Sequence, residues 1–409
     1  MNTEILKKKN IFFLDKKYKT PLWLYNADII KNQILKLKKF DIIRYAQKSC
    51  SNLHILKIIK KYGAKIDAVS YGEIKRALLT GFKPKSNDIV YTSDIFEEHT
   101  LKKIIKHKIP VNLGSLDMIS QLGKKSYQHP VWIRINPKFG SGHHIRTNTG
   151  GENSKHGIWN ITFALELLKK YNLKLIGLHI HIGSGVNYLH LQKVSQFMIN
   201  AALKLNQKIN FISAGGGLSI PYKDSEKEID IKHYFNLWNT AKHNISNFLK
   251  CPLKLEIEPG RFITAQSGIL LTKICAIKKT QKKYFIIINS GFNDLLRPVL
   301  YGSYHKISVI PGPKHIFNQK YNIDAILAGP LCESGDIFTV TDTGHLLTRK
   351  FKNVALGDYI VIHDTGAYGS SMSSNYNSKP LIPEILYYKK NFKIIRRRQT
   401  ITEMLNLEK

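Results

Sequence analysis

At 409 residues the chain is long enough for two domains, or for one large barrel with an appendage. Its longest apolar runs, such as residues 284–288 and 359–362, fall far short of the ~20 residues a membrane helix needs, so no membrane partner and a cytoplasmic location are expected. Four cysteines without ligand spacing exclude a disulfide scaffold and a metal site, while a net charge of +34 carried mostly by scattered lysines reads as a solvated surface, with no nucleic-acid partner expected.

Residues 11–25 contain a strand-like stretch that precedes a change of rhythm. From about residue 40 to 260, short apolar segments alternate with amphipathic helical ones, the signature of parallel strands joined by crossover helices. Eight strands are counted, over residues 42–47, 65–69, 88–92, 110–113, 131–135, 175–182, 209–213 and 253–258. Eight such units predict a closed (β/α)8 TIM-type barrel. Segments 53–62, 72–79, 163–171 and 191–205 carry apolar residues at three- and four-residue spacing and form its outer helices. After Arg261 the texture becomes β-rich, with strands expected over 269–277, 284–289, 306–310, 323–327 and 359–362. The expected fold class is therefore α/β plus β: a barrel over residues 26–262 and a mostly antiparallel β domain from residues 1–25 and 263–409.

Barrel active sites lie where the strands end, and several strands here end on polar groups. Strand one runs into Tyr45-Ala46-Gln47-Lys48, strand two holds Asp67, and strand five holds Arg134. Strand six runs into His179-Ile180-His181-Ile182-Gly183-Ser184, strand seven into Gly215-Gly216-Gly217, and strand eight into Glu258-Pro259-Gly260-Arg261. A lysine ending an apolar strand is costly unless it is paired, neutralised or covalently used, or unless its long stem snorkels to water. Consecutive glycines let backbone amides approach a phosphate, although such runs also occur in plain turns. A buried Glu258 is able to pair with a protonated pyridine nitrogen, or with Arg261 or Arg134 for structure alone.

Together these motifs resemble the alanine-racemase-like barrel decarboxylases that use pyridoxal 5'-phosphate (PLP), and among them the diaminopimelate-type enzymes, over nearly the whole chain. The resemblance rests on Tyr45-Ala46-Gln47-Lys48 with Ser51-Asn52-Leu53, on Asp67-Ala68-Val69-Ser70-Tyr71-Gly72-Glu73, on Arg134-Ile135-Asn136-Pro137, on the His-x-Gly-Ser element ending at Ser184, on the triple glycine, and on Glu258 to Arg261. It implies that Lys48 bonds to PLP, that His181 stacks on its ring, that Glu258 meets its nitrogen, and that Ser184 and Gly217 hold its phosphate. Asp67, Arg134, Gly260 and Arg261 fall within the same cofactor-binding motifs. Two departures stand out. Ser49-Cys50 replaces the family's usual Ala-Asn, and His156 stands where many members have Phe.

In the second domain, Asn293-Asp294-Leu295-Leu296-Arg297-Pro298-Val299-Leu300-Tyr301 resembles the diaminopimelate-type segment, whose arginine ornithine-type enzymes lack. Planar Arg297 and Arg261 suit a carboxylate, which the distal end of diaminopimelate has and ornithine does not. Gly329-Pro330-Leu331-Cys332-Glu333-Ser334 resembles an element in which Cys332 donates a proton and Glu333 recognises the distal ammonium. Asp364-Thr365-Gly366-Ala367-Tyr368-Gly369 resembles a closing motif in which Tyr368 contacts cofactor and substrate; Tyr301 belongs to the same substrate set. The resemblance implies decarboxylation of meso-2,6-diaminopimelate to L-lysine and CO2 by a homodimer whose Cys332 serves the other subunit. Other basic amino-acid decarboxylases of this fold, an amino-acid racemase and a non-catalytic nucleic-acid-interacting protein are the alternatives.

Overall fold

The computed structural model describes residues 4–140, 149–181, 183, 188–316 and 322–409. Two compact units divide the chain: Lys31–Ile220 with Glu228–Ile263, and Met1–Ile30 with Pro221–Lys227 and Thr264–Lys409.

The chain opens with helix α1 (Lys8–Tyr18), strand β1 (Leu22–Asn26) and helix α2 (Ala27–Lys36). The strand-like stretch expected within residues 11–25 is β1, at its end, and α1 fills the part before it. Ile11, Leu14 and Tyr18 are spaced by three and four residues, so they share one face of a helix, and Ile11 and Leu14 are fully buried.

The first unit is a closed barrel of eight parallel strands: β2 (Ile42–Ala46), β3 (Lys65–Ala68), β4 (Ile89–Ser93), β5 (Val111–Leu113), β6 (Pro130–Ile135), β7 (Lys174–Ile180), β8 (Phe211–Ser213) and β9 (Lys254–Ile257). The helices that follow strands are α3 (Leu53–Lys61), α4 (Tyr71–Leu79), α5 (Glu98–His107), α6 (Leu116–Gly123), α7 (Ile161–Lys170), α8 (Tyr188–Leu205) and α9 (Ile231–Leu249). Local sequence sets where many of them start. Asn52, Ser70, Ser115, Asn160 and Asp230 each accept a backbone N–H of the first turn at the N-caps of α3, α4, α6, α7 and α9, the arrangement that satisfies donors a helix cannot satisfy itself. At α4 the Glu73 carboxylate also reaches back past the cap, accepting the N–H of Val69 at 2.8 Å.

Closure occurs where β2 pairs with β9, Ile42 opposite Glu256 and Ile43 opposite Ile257. A buried ion pair spans that seam. Arg44 donates to both carboxylate oxygens of Glu256, at 2.9 and 2.8 Å, with both side chains almost wholly sealed from solvent. Planar fork-to-fork geometry is what makes such a pair tolerable in a desolvated core.

The second unit begins at the end of helix α10 (Arg261–Thr264) and contains β10 (Gly268–Lys279), β11 (Tyr284–Ile288), α11 (Arg297–Tyr301), β12 (Ile307–Ile310), β13 (Ile323–Ala328), β14 (Arg349–Phe351), β15 (Tyr359–Ile362), β16 (Glu384–Tyr388), β17 (Asn391–Arg396) and α12 (Ile401–Leu405). With β1 they form a nine-stranded sheet running β14-β13-β11-β10-β1-β16-β17, with β15 on β10 and β12 on β15. All pairings are antiparallel except β1 with β16 and β11 with β13. Its core joins Ile11 and Leu14 of α1 to Leu22, Leu24, Ile269, Leu271, Val361 and Ile385.

Candidate active site

Within the barrel, Lys48 lies in a short turn directly after β2. It is the one exposed residue in the buried run from Ile43 to Cys50, a placement open to a ligand and unlike a snorkelling lysine on an outer helix. The neighbouring departures are locally satisfied. The Ser49 hydroxyl donates to Tyr45 at 2.9 Å and to the Ala46 carbonyl at 3.0 Å, while the Cys50 carbonyl accepts from Tyr45 at 3.0 Å. At Gly260 a Cβ would come within 3.3 Å of Ala46 and Ser49. The ends of β2 and β9 are thus packed together.

Glu258 follows β9 and is 8 % exposed. Its partners are neither Arg261 nor Arg134: one oxygen lies 2.7 Å from His179 Nε2 and the other accepts the Ser213 hydroxyl at 3.1 Å. Ser213 also accepts the Gly215 N–H at 3.1 Å. Burial opposes ionisation of Glu258, but the charge and hydrogen bond of His179 override it and hold the carboxyl down at about 2. An ionised carboxylate only accepts, so His179 Nε2 carries hydrogen. Sheet register explains the cluster, since Arg134 lies opposite His179 and His179 opposite Ser213 across β6, β7 and β8.

Asp67, in β3, is buried, and its Oδ1 has no hydrogen-bond partner among the described residues. Burial and the Glu258 charge push its pKa up to about 6, against the pull of Lys48. His181, just past β7, is held well below the usual imidazole range by burial and by the charges of Arg134 and Lys48. It is therefore a neutral ring at pH 7. His181 Nδ1 is likewise buried with no hydrogen-bond partner among the described residues. Arg134 is 8 % exposed. Near it in charge lies Asp94, whose carboxylate sits 2.5 Å from His156 Nδ1, so the second sequence departure pairs with an acid.

The glycine run is a cradle in the strict sense. At Gly217, φ is +102° and a Cβ would fall 2.4 Å from the Gly183 carbonyl; at Gly216 it would fall 2.7 Å from the Glu258 carbonyl and 3.4 Å from His181 Cε1. No side chain fits there, and the backbone is left close to His181. Ser184 lies outside the described residues. Orphaned polar atoms on Asp67 and His181, an ionised carboxylate at the floor, an accessible lysine and a glycine turn fit PLP by chemistry and placement.

In the β unit, Arg297 starts α11 and is 4 % exposed. It donates to His305 Nε2 at 2.9 Å and to the Ser303 hydroxyl at 3.1 Å, and its guanidinium lies 5.1 Å from the centre of the Tyr222 ring. Tyr301, which ends α11, and Tyr368 are half-buried. Tyr368 adopts φ +58°, a left-handed conformation that costs a bulky residue energy and recurs at functional positions. Cys332 and Glu333 are exposed, and Glu333 accepts the Gly335 N–H at 3.3 Å. Arg261 starts α10 and is half-buried.

Sequence reasoning passed over His179 and Ser213, the groups that fix the state of Glu258. A signal existed for the first: His179 and His181 are two residues apart, hence on one face of a strand.

Residues 26–265 match the family model described as the pyridoxal-dependent decarboxylase, pyridoxal binding domain. A diaminopimelate decarboxylase of Buchnera aphidicola subsp. Acyrthosiphon pisum is 61% identical over 396 residues, 97% of this chain and 95% of the relative. A crystal structure of a diaminopimelate decarboxylase superposes with a TM-score of 0.94 at 49% identity, covering 98% of this chain and 97% of the other. The Helicobacter pylori enzyme, crystallised with L-lysine, gives 0.84 at 32% identity, covering 98% and 99%. Agreement at this level over nearly the full length of both partners leaves one assignment: the chain belongs to the diaminopimelate decarboxylase family of PLP-dependent enzymes.

Proposed function

We propose that this chain decarboxylates meso-2,6-diaminopimelate to L-lysine and CO2 with PLP, and that its site residues act as follows. When bound, PLP supplies the sink for the electron pair that departing CO2 leaves on the substrate. Lys48 would hold the cofactor through Nζ. Glu258, kept anionic by His179 and Ser213, holds a proton on the pyridine nitrogen. The neutral His181 ring would stack on the cofactor, while Ser184 with Gly217 would hold its phosphate; Asp67, Arg134, Gly260 and Arg261 complete the cofactor-binding set. Arg297, with Arg261, Tyr301 and Tyr368, orients the substrate, and Glu333 receives its distal ammonium. Cys332 returns a proton to the α-carbon.

One observation carries the reading: an ionised, doubly hydrogen-bonded Glu258 follows the strand that closes the barrel against the strand before Lys48. We further infer a homodimer in which the Cys332 loop serves the other subunit, supported by family resemblance and by the exposure of Cys332 to Gly335. Four free thiols support a cytoplasmic setting. Purified protein supplied with PLP and meso-diaminopimelate should release lysine and CO2 in equal amounts, and the Lys48→Ala variant should release neither. Faster consumption of lysine, ornithine or arginine would instead assign another basic amino-acid decarboxylase.

A further inference from the structure

Two separate stretches of the β unit meet around one buried carboxylate. Asp336 is 2 % exposed. Its Oδ2 accepts the Leu331 N–H at 2.9 Å and its Oδ1 accepts the Phe292 N–H at 2.7 Å. Its backbone closes the same loop, because its carbonyl accepts from Gly329 at 2.9 Å and its N–H donates to Glu333 at 3.0 Å. Space for the carboxylate exists only because two neighbours lack side chains. A Cβ at Gly329 would lie 2.1 Å from Asp336 Oδ2, and one at Gly291 would lie 2.9 Å from it. The loop that results has buried ends, Leu331 and Asp336, and an exposed tip from Cys332 to Gly335.

The tip is held at a second point. Asn377 Oδ1 accepts the Cys332 N–H at 3.2 Å, and Asn377 adopts φ +54°, a left-handed conformation that Asn tolerates better than most residues. Its neighbour Tyr376 packs on Phe292 with ring centres 5.1 Å apart, and the Ser374 N–H donates to the Asn293 carbonyl at 2.8 Å. The segments around 292, 332 and 377 therefore brace one another, with consecutive amides at 331 and 332 pinned from two sides and the thiol left uncovered.

We propose that Asp336 and Asn377 are positioning residues that set the Cys332 thiol at the point where it delivers its proton. The inference rests on the reading of Cys332 as proton donor. In that step the Cys332 S–H bond breaks, a C–H bond forms with the electron pair left by CO2, and the resulting thiolate regains a proton from water. Misplacing the thiol slows this step alone. Loss of CO2 and binding of substrate do not depend on it.

The test compares Asp336→Asn, Asn377→Gly and Asn377→Asp with wild type and with Cys332→Ala, all as holoenzyme. Asp336→Asn keeps shape but retains one acceptor atom for two amides. Asn377→Gly keeps the left-handed turn and loses the acceptor, whereas Asn377→Asp keeps both. The first two should lower kcat about tenfold, as expected for a small displacement of a reacting group, with KM changed by less than about twofold in Asn377→Gly and raised as well in Asp336→Asn, whose loop also carries Glu333. They should also release a first-turnover burst of CO2 ahead of lysine and show a larger solvent deuterium effect on kcat. Asn377→Asp should behave as wild type. Independently of turnover, the alkylation rate of Cys332 measured against Cys275 by peptide mass spectrometry should change in the first two variants only.

Unchanged kinetics, or losses in which CO2 and lysine stay in step, would overturn the inference. If Asp336→Asn does not fold, the two Asn377 variants decide it. Absence of a CO2 burst in Cys332→Ala sinks the proton-donor reading itself. A burst there, with none in the positioning variants, sinks only the positioning role.

Discussion

The barrel end and the Cys332 loop control their functional groups by different physical means. At the barrel end, side chains govern side chains: His179 and Ser213 hold Glu258 ionised against its burial, and burial together with the Glu258 charge raises the pKa of Asp67. In the loop, two carboxylate oxygens and one amide oxygen hold main-chain amides, while the tip residues stay in water. Protonation state is what the first region sets. The second fixes a stretch of backbone.

Substitutions that change charge without shape should therefore be severe in the barrel. Lys48→Ala is expected to have the largest effect, reducing lysine formation to background and abolishing the visible absorbance of bound PLP, with folding checked by circular dichroism. Glu258→Gln keeps the side-chain volume and an acceptor for Ser213, yet should lower kcat by ~10²–10³-fold, the cost of removing one preorganised electrostatic stabiliser. Cys332→Ala should lower kcat by ~10²-fold or more, the typical share of a positioned proton donor, and leave KM nearly unchanged. Glu258→Gln at near wild-type rate in steady-state assays would erase the contrast between the regions.

The same contrast explains what the sequence made legible. Eight apolar segments at regular spacing predicted a closed barrel, and its chemistry was found by asking what stands where each strand stops. Lys48, Glu258 and the glycine run are singled out by position, and the family resemblance supplies their expected roles. His179 and Ser213 were not, because a partner on the next strand or the one beyond it is set by sheet register, and register is invisible to a linear pattern. In the β unit no strand-end rule applies. Arg297, Cys332 and Tyr368 were readable only through motif resemblance, and Asp336 was missed because its role is to hold backbone. Within residues 11–25 the strand-like stretch is β1 alone, and the preceding residues form α1, whose helical face shows only in the wider spacing of Ile11, Leu14 and Tyr18.

The barrel's dependence on matched charges extends below the site. Arg44→Met leaves Glu256 desolvated and unpaired at the seam, and should cost about 3–5 kcal/mol of stability. It would be read as a fall in the melting temperature of the chain. Adding Glu256→Leu should recover most of that loss, because two apolar side chains replace a buried pair with no orphaned charge. No recovery in the double variant would mean that the seam needs the guanidinium's bonds to the Ile66 and Asn87 carbonyls as well.

A smaller effect separates Asp67 from Glu258 by sign. Asp67 keeps its proton in the fold up to about 6, whereas an unfolded aspartate releases it near ~3.9. Between these values the folded chain binds more protons, so the contribution of Asp67 is fully present below about pH 4 and is lost as pH rises through 6. Glu258 behaves oppositely: held at about 2, against ~4.3 unfolded, it stabilises above that range and ceases to do so as pH falls through 2. Asp67→Asn should therefore match wild type near pH 4 and exceed it by up to about 2–3 kcal/mol above pH 6, with the pull of Lys48 making this a ceiling. Thermal melts of the apoprotein from pH 4 to 7 measure the difference, and the apoprotein keeps the pyridine nitrogen from sharing Glu258. Parallel curves for variant and wild type would show that the carboxylates at the barrel end do not oppose each other.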